Sequence, residues 1–330
     1  MKGRYIFIVS GRADQKSLKM LEAALAAVPS DVRTHFEFRY TEYPGHAGDI
    51  AREVSEKYGS RVTVVSCGGD GTINEVCNSL AFTNTPLICL PFGTGNDLSK
   101  TIYGHKTPHL KNSLMILDTF VPRKIDLIRI DSYDAMGNHL PMWSRYCINV
   151  ASIGLDTRVQ SEAKAMVKSK PNSSFVRKTA YMRSAFSGVL GKRSSNFSYK
   201  LELASGETYE SSAGVNTLIS ICNGKYYGDG FCPAPNAQLD DGIIDVCAVD
   251  DVPLGRAVRL LLKYRSGKHE DKQGIHSFRT TSGIITSTDP SYQLQGNYDG
   301  EDFFGHRIRF EVFPDALKMC FPGGKEGKDD

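Results

Sequence analysis

No stretch of this 330-residue chain approaches the roughly 20 consecutive apolar residues of a transmembrane helix, so none is expected. The first residues, Met1 to Val9, lack the apolar length of a signal peptide and lead directly into a strand-like segment, which points to a cytoplasmic location. The eight cysteines, at 67, 77, 89, 147, 222, 232, 247 and 320, form no Cys-x-x-Cys pair. They read as reduced, buried small hydrophobes rather than zinc ligands. No internal repeat, low-complexity tract or Gly-x-x-x-x-Gly-Lys-Ser/Thr motif is present, so any phosphate cradle lacks the lysine of that motif. Acid is missing locally: residues 163 to 201 hold no Asp or Glu. The net charge of +3 is too small to imply a nucleic-acid partner.

What is there is an ordinary globular composition, 40% apolar and 23% charged, at a length that favours two domains. Over the first 120 residues strand-like and helical patterns alternate. Tyr5 to Val9, His35 to Tyr40, Arg61 to Ser66 and Leu87 to Leu90 read as strands. Helices are expected from Leu18 to Val28, closed by Pro29, from about Ala47 to Tyr58, and from Thr72 to near Asn84. That alternation predicts a parallel, doubly wound α/β domain, which binds ligands beyond the carboxyl ends of its strands. After Pro122 the pattern becomes short alternating strands, a mostly antiparallel domain interrupted by two helices, about Ser174 to Leu190 and Leu254 to Tyr264.

The chemistry gathers in four stretches. Gly68-Gly69-Asp70-Gly71-Thr72-Ile73-Asn74 follows a strand and opens a helix. Its glycines permit positive φ and leave main-chain N–H groups open to an anion, and the helix N-terminus adds its own. Asp70 would repel phosphate unless a cation stood between them, which suggests a magnesium-bridged nucleotide. The plain alternative is a tight turn with Asp70 as helix cap. Gly93-Thr94-Gly95-Asn96-Asp97 repeats the arrangement after the next strand, with Asn96 or Asp97 as cap. Gln238-Leu239-Asp240-Asp241-Gly242-Ile243 places adjacent carboxylates at a glycine turn, suited to a hard cation or to an ordinary hairpin. Asp299-Gly300-Glu301 sets two carboxylates about a glycine, either an acid-base pair or again a hairpin turn.

In their order, Gly-Gly-Asp-Gly-Thr-Ile-Asn-Glu-Val at 68 to 76, Pro-Phe-Gly-Thr-Gly-Asn-Asp at 91 to 97, Ala-Pro-Asn-Ala-Gln-Leu-Asp-Asp-Gly at 234 to 242 and Asp-Gly-Glu at 299 to 301 resemble the diacylglycerol kinase catalytic family over nearly the whole chain. The resemblance implies a nucleotide domain similar to NAD kinase and 6-phosphofructokinase, residues 1–123 with 307–322 returning to it. It also implies a β-sandwich at 124–306, a tail at 323–330, and ATP and lipid meeting in the cleft. It implies ATP contacts from Gly68, Gly69, Asp70, Gly71, Thr72, Ile73, Asn74, Gly93, Thr94 and Thr41. Ser10 and Gly11 keep only the end of the Asn-Pro-x-Ser-Gly found in relatives. It implies that Asp299 or Glu301 accepts the lipid hydroxyl proton, and that Asp70 and Asp97 stand about the nucleotide Mg2+. A second magnesium would take the Asp241 side chain and the carbonyls of Gln238 and Ile243, with Asp240 coupling it to the catalytic network.

The expected reaction is phosphoryl transfer from ATP to the hydroxyl of diacylglycerol or a related lipid. A peripheral membrane contact is expected through the basic, apolar-dotted stretch 163–201, whose plain alternative is a helix facing its own core. The rivals are a soluble-acceptor kinase of the NAD kinase type and a non-catalytic regulator on the same fold. A homodimer stays open.

Overall fold

The computed structural model describes residues 3–13, 15–92, 95–104, 117–169, 174–191, 194–211 and 214–322. The chain divides into two compact units, one of Met1–Ile125 with Asp315–Asp330 and one of Asp126–Pro314.

In the first unit β1 (Arg4–Val9), β2 (Phe36–Tyr40), β3 (Val62–Gly68) and β4 (Leu87–Pro91) alternate with α1 (Gln15–Ala26), the single-turn α2 (Ser30–Arg33), α3 (His46–Tyr58), α4 (Asp70–Leu80) and α5 (Asp97–Tyr103). The strands are parallel in the order β4-β3-β1-β2. Phe7, Val9, Val65, Cys67, Ile88 and Leu90 pack one face of the sheet with Leu21 and Ala24 of α1. Ile6, Ile8, Val64 and Leu87, at the intervening positions, are equally buried. A parallel sheet covered on both sides needs such near-continuous apolar strands. Register aligns the strand ends: Val9 lies opposite both Tyr40 and Cys67, and Gly68 opposite Pro91. The loops that follow therefore share one edge.

Helix α4 stops at Leu80, short of the expected Asn84. Phe82 turns into the left-handed region at φ 61° and donates its N–H to Ala316, while the Thr83 hydroxyl caps the Leu80 carbonyl. A partner distant in sequence takes the residues that would have continued the helix.

The second unit is an antiparallel β-sandwich. Its strands are β5 (Val121–Tyr133, which enters from the first unit), β6 (Arg145–Cys147), β7 (Val150–Gly154), β8 (Ser195–Leu203), β9 (Thr208–Glu210), β10 (Gly214–Cys222), β11 (Ile244–Asp250), β12 (Ile275–Ser287), β13 (Leu294–Tyr298), β14 (Glu301–Gly305) and β15 (Arg307–Phe321). One run of neighbours reads β14-β13-β7-β10-β11-β12-β15, and β8 joins β10 and β12. Ile128, Ile153, Phe197, Ile219, Val246, Tyr298, Phe303 and Phe310 belong to its core. Strand β15 pairs with β12 through Arg307 to Glu311, then lies parallel to β4 at Met319. Asp315, at φ 56°, bends it where the units divide.

Among the described residues this unit also carries three α-helices: α6 (Leu155–Ser169), α7 (Ser174–Leu190) and α8 (Leu254–Arg265). The last two match the expected pair. Helix α6 is additional, and only Leu155, Val159 and Ala163, with Asp156 and Thr157, form its buried side. So thin an apolar stripe gives little periodic signal.

Candidate active site

In the first unit the strand ends bring Ser10, Gly11 and Thr41 together. Thr41 donates its N–H to Val9, and its hydroxyl accepts from the Gly11 N–H at 2.9 Å. A Cβ on Gly11 would stand 2.1 Å from the Thr41 carbonyl oxygen, so only glycine fits there.

The 68–74 loop differs from expectation in its backbone. None of Gly68, Gly69 or Gly71 has a positive φ. Glycine serves close approach instead: a Cβ on Gly68 would lie 2.4 Å from the Thr72 Cβ. Gly69, not Asp70, is the residue before α4, and it brings no capping side chain. The first N–H groups of this 11-residue helix carry the positive end of its dipole. Asn96, the residue before α5, makes no side-chain capping bond to it. Asn96 precedes the helix at φ 51°, and the nearly buried Asp97 opens it.

The two aspartates converge. The point a Cβ on Gly95 would occupy lies 3.2 Å from Asp70 Oδ2 and 3.5 Å from Asp97 Oδ2. Glycine leaves that point clear, and two carboxylate oxygens about one position suit a hard divalent cation. Lys100 neutralises the other oxygen of Asp97 at 2.8 Å. Ile73 and Asn74 are buried in α4, and Asn78 donates to Asn74. Gly93 and Thr94 lie outside the described residues.

Glu75, within the same motif, does something the sequence does not announce. Its carboxylate accepts the N–H groups of Gly45 at 2.9 Å and Ala47 at 3.2 Å, capping α3 from 30 residues away. A cap supplied by another helix leaves no local signal.

In the second unit Asp299 and Gly300 form a two-residue hairpin between β13 and β14, with φ of 47° and 95°. Asp-Gly is the favoured pair for such a turn. The carboxylate of Asp299 is nonetheless folded inward. It accepts N–H groups from Ile148 at 2.7 Å, Asn149 at 3.0 Å and Val150 at 3.3 Å, with the Cys147 thiol at 3.4 Å. Burial, and next the Asp299 charge, push that thiol well above its ordinary pKa. Glu301, two residues on, is exposed. The hairpin and the paired carboxylates are thus one structure, with one carboxylate sequestered and the other free of the core.

Two asparagines outside the predicted set build the pocket for Asp299. Asn149 bonds the Tyr226 carbonyl, and buried Asn223 donates to the carbonyls of Asp126 and Ile148 at 2.9 and 3.0 Å. Asn223-Gly224 ends an apolar strand, which was the available signal.

At the 238–243 turn, Gln238 and Asp240 are exposed. Asp241 pairs with Arg279 at 2.5 Å and accepts the Ile243 N–H at 3.2 Å, while buried Asp126 accepts from Gly242 at 2.7 Å. Arg279 supplies the positive charge that a cation would bring. Burial raises Asp245 to a pKa of about 6; Arg279 opposes that rise, and Asp241 and Glu270 add to it. Among the described residues no cluster of three or more His, Cys, Asp or Glu side chains could hold a metal.

All eight cysteines are buried, and none is in a disulfide. Within 163–201, Val176, Ala180, Ala185 and Val189 face inward, whereas Phe175 and Leu190 are 68% and 65% exposed and Lys164, Lys168 and Arg183 are exposed. Lys170, Lys192 and Arg193 lie outside the described residues, as do the side chains of Arg177 and Lys178.

Residues 4–130 match the model of the diacylglycerol kinase catalytic domain, and residues 149–321 that of the YegS C-terminal NAD kinase beta sandwich-like domain. A probable YegS-like lipid kinase of Xanthomonas axonopodis pv. citri is 31% identical over 286 residues, 84% of each chain. A putative lipid kinase of Staphylococcus epidermidis is 28% identical, covering 88% of this chain and 87% of that one. Among solved structures, a putative diacylglycerol kinase from Bacillus anthracis str. Sterne superposes with a TM-score of 0.68 at 20% identity, over 97% of this chain and 98% of that one. Yeast NADH kinase does so at 0.50 and 9% identity, over 99% and 85%.

Proposed function

The chain belongs to the diacylglycerol kinase catalytic family, among its YegS-like lipid kinases, and from that premise we propose that it transfers the γ-phosphate of ATP to the free hydroxyl of diacylglycerol or a related lipid, giving phosphatidic acid or its analogue. The observation that carries the reading is the convergence of Asp70 and Asp97 at the N-terminus of α4, which begins after a glycine. One element offers N–H groups to phosphate, and the carboxylates suit the cation that travels with it.

Asp70 and Asp97 would hold Mg2+, which when bound neutralises charge on the transferring phosphoryl group. The N–H groups from Gly68 to Asn74 would receive phosphate oxygens, with Ser10, Gly11 and Thr41 on the same strand-end edge. The transition state asks little covalent chemistry of the protein, so placement of the two substrates accounts for most of the rate. The acceptor hydroxyl loses its proton to the Asp299-Gly300-Glu301 turn. Asp299 is fixed by its N–H donors and Glu301 is exposed, so Asp299→Asn and Glu301→Gln separate the roles. Since Arg279 satisfies Asp241, no step is assigned to a second cation at Gln238, Asp240, Asp241 and Ile243.

The lipid acceptor implies peripheral work at a membrane by a cytoplasmic enzyme. Among the described residues no helix is long and apolar enough to cross one. The outward Phe175, Leu190 and Arg183 of α7 and Lys164 and Lys168 of α6 suit an anionic lipid surface. The test is labelled-phosphate transfer from ATP across a panel of diacylglycerol, monoacylglycerol, ceramide, sphingoid base and polyprenol in mixed micelles. Transfer to at least one lipid, lost in Asp70→Asn, is expected. Nucleotide binding with no transfer would favour a regulator instead.

A further inference from the structure

We infer that Gln160 and Lys164 of α6 are positioning residues for the Asp299-Gly300-Glu301 turn, so that the helix bearing the basic surface also sets the geometry of the proton-accepting carboxylates. The inference rests on the proposed phosphotransferase reading.

The turn is held from two sides. From below, the N–H groups of Ile148, Asn149 and Val150 grip the Asp299 carboxylate. Nothing in that grip fixes Gly300 or Glu301, which lie beyond it. The second hold comes from Asn297, which is nearly buried. Its Oδ1 accepts the Gly300 N–H at 3.0 Å and its Nδ2 donates to Asp302 at 3.1 Å, so one side chain spans the turn. Gln160 fixes that side chain, its Nε2 donating to the same Asn297 Oδ1 at 3.2 Å. One helical turn on, the Lys164 ammonium donates to the Gly300 carbonyl oxygen at 2.6 Å.

Positions i and i+4 of a helix stand one above the other. Gln160 and Lys164 therefore approach the hairpin as a pair, and both backbone polar groups of Gly300, its N–H and its carbonyl, are tied to α6, the first through Asn297 and the second directly. Gly300 needs such ties. It sits at φ 95°, and glycine has the widest conformational freedom of any residue. Glu301 is paired with Tyr298 only at the end of the ladder, so an untied Gly300 would loosen the turn that sets Glu301 against Asp299, and misplacement of a reacting group by about 1 Å can cost about 100-fold in rate. The charge of Lys164 also fits the task, since an ammonium to carbonyl bond is stronger than a neutral one. Helix α6 is itself anchored at its first turn, where buried Asp156 accepts from Ser152 at 2.6 Å and from the Tyr181 hydroxyl of α7.

The test combines hydrogen exchange with kinetics on the full chain. Lys164→Met, Lys164→Arg, Gln160→Ala and Lys168→Met are compared with the unaltered protein. Lys168 is an exposed lysine of the same helix and serves as the control for lost surface charge. For Lys164→Met and Gln160→Ala, amide exchange in the 296–303 segment is expected to rise by about 5-fold or more. Their kcat is expected to fall about 10-fold with the ATP KM unchanged. Lys164→Arg should restore most of both, and Lys168→Met should leave the 296–303 exchange untouched. Unchanged exchange in Lys164→Met, or equal loss of transfer in Lys164→Met and Lys168→Met, would overturn the inference. If the unaltered protein phosphorylates no lipid, the proposed activity fails. The exchange comparison still decides whether α6 holds the turn.

Discussion

Asp299 and Glu301 stand two residues apart with the same functional group, and the fold gives them opposite surroundings. Asp299→Asn would press an amide NH2 against backbone N–H donors, so it is expected to cost about 1–3 kcal/mol in urea unfolding. Glu301→Gln, at an exposed position, should stay within about 0.5 kcal/mol of the unaltered chain. Asp156 poses a second contrast. Burial raises its pKa, against hydrogen bonds from Ser152, Tyr181 and Tyr227. As pH rises from the ordinary carboxylate range, the unfolded chain loses this proton first. The folded state is then penalised progressively until the raised folded pKa is passed. Asp156→Asn cannot titrate. Urea midpoints between pH 4 and 8 should therefore move in favour of the variant as pH rises, and parallel curves would contradict this.

Elements differ in how much of their cause is local. The strands of the first unit were legible because burial on both faces demands continuous apolar runs, and the 68–74 loop because strand, glycines and helix follow in order. Its mechanism was less so: none of the glycines at 68, 69 and 71 adopts positive φ, and Gly68 avoids a clash with Thr72 that only the packing reveals. Helix α6 escaped because its apolar stripe is thin, and α4 ended early because Phe82 bonds to Ala316 from the far end of the chain. The Asp299 pocket was hidden for the same reason, its donors lying about 150 residues upstream. Glu75 gives an element-scale test. Glu75→Ala strips two N–H partners from the start of α3 and should cost about 0.5–2 kcal/mol in urea unfolding, while Glu75→Gln should cost less.

At the scale of the whole molecule, one unit carries the nucleotide-type loops and the other the carboxylate turn. A kinase for a membrane-resident acceptor must also reach its surface. Replacing Arg183, Lys164 and Lys168 by Glu should weaken binding to anionic vesicles about 10-fold or more at low salt, and 0.5 M salt should weaken the unaltered protein similarly. Vesicle binding indifferent to both would remove this docking surface from the account. The central claim concerns the acceptor. The most direct measurement offers γ-labelled ATP and Mg2+ to the protein with diacylglycerol in mixed micelles and NAD in the same vessel, then separates labelled lipid from labelled nucleotide. The account predicts label in the lipid, none in NAD, and loss of the lipid signal in Asp97→Asn. Label confined to NAD, or lipid labelling that survives Asp97→Asn undiminished, would contradict it.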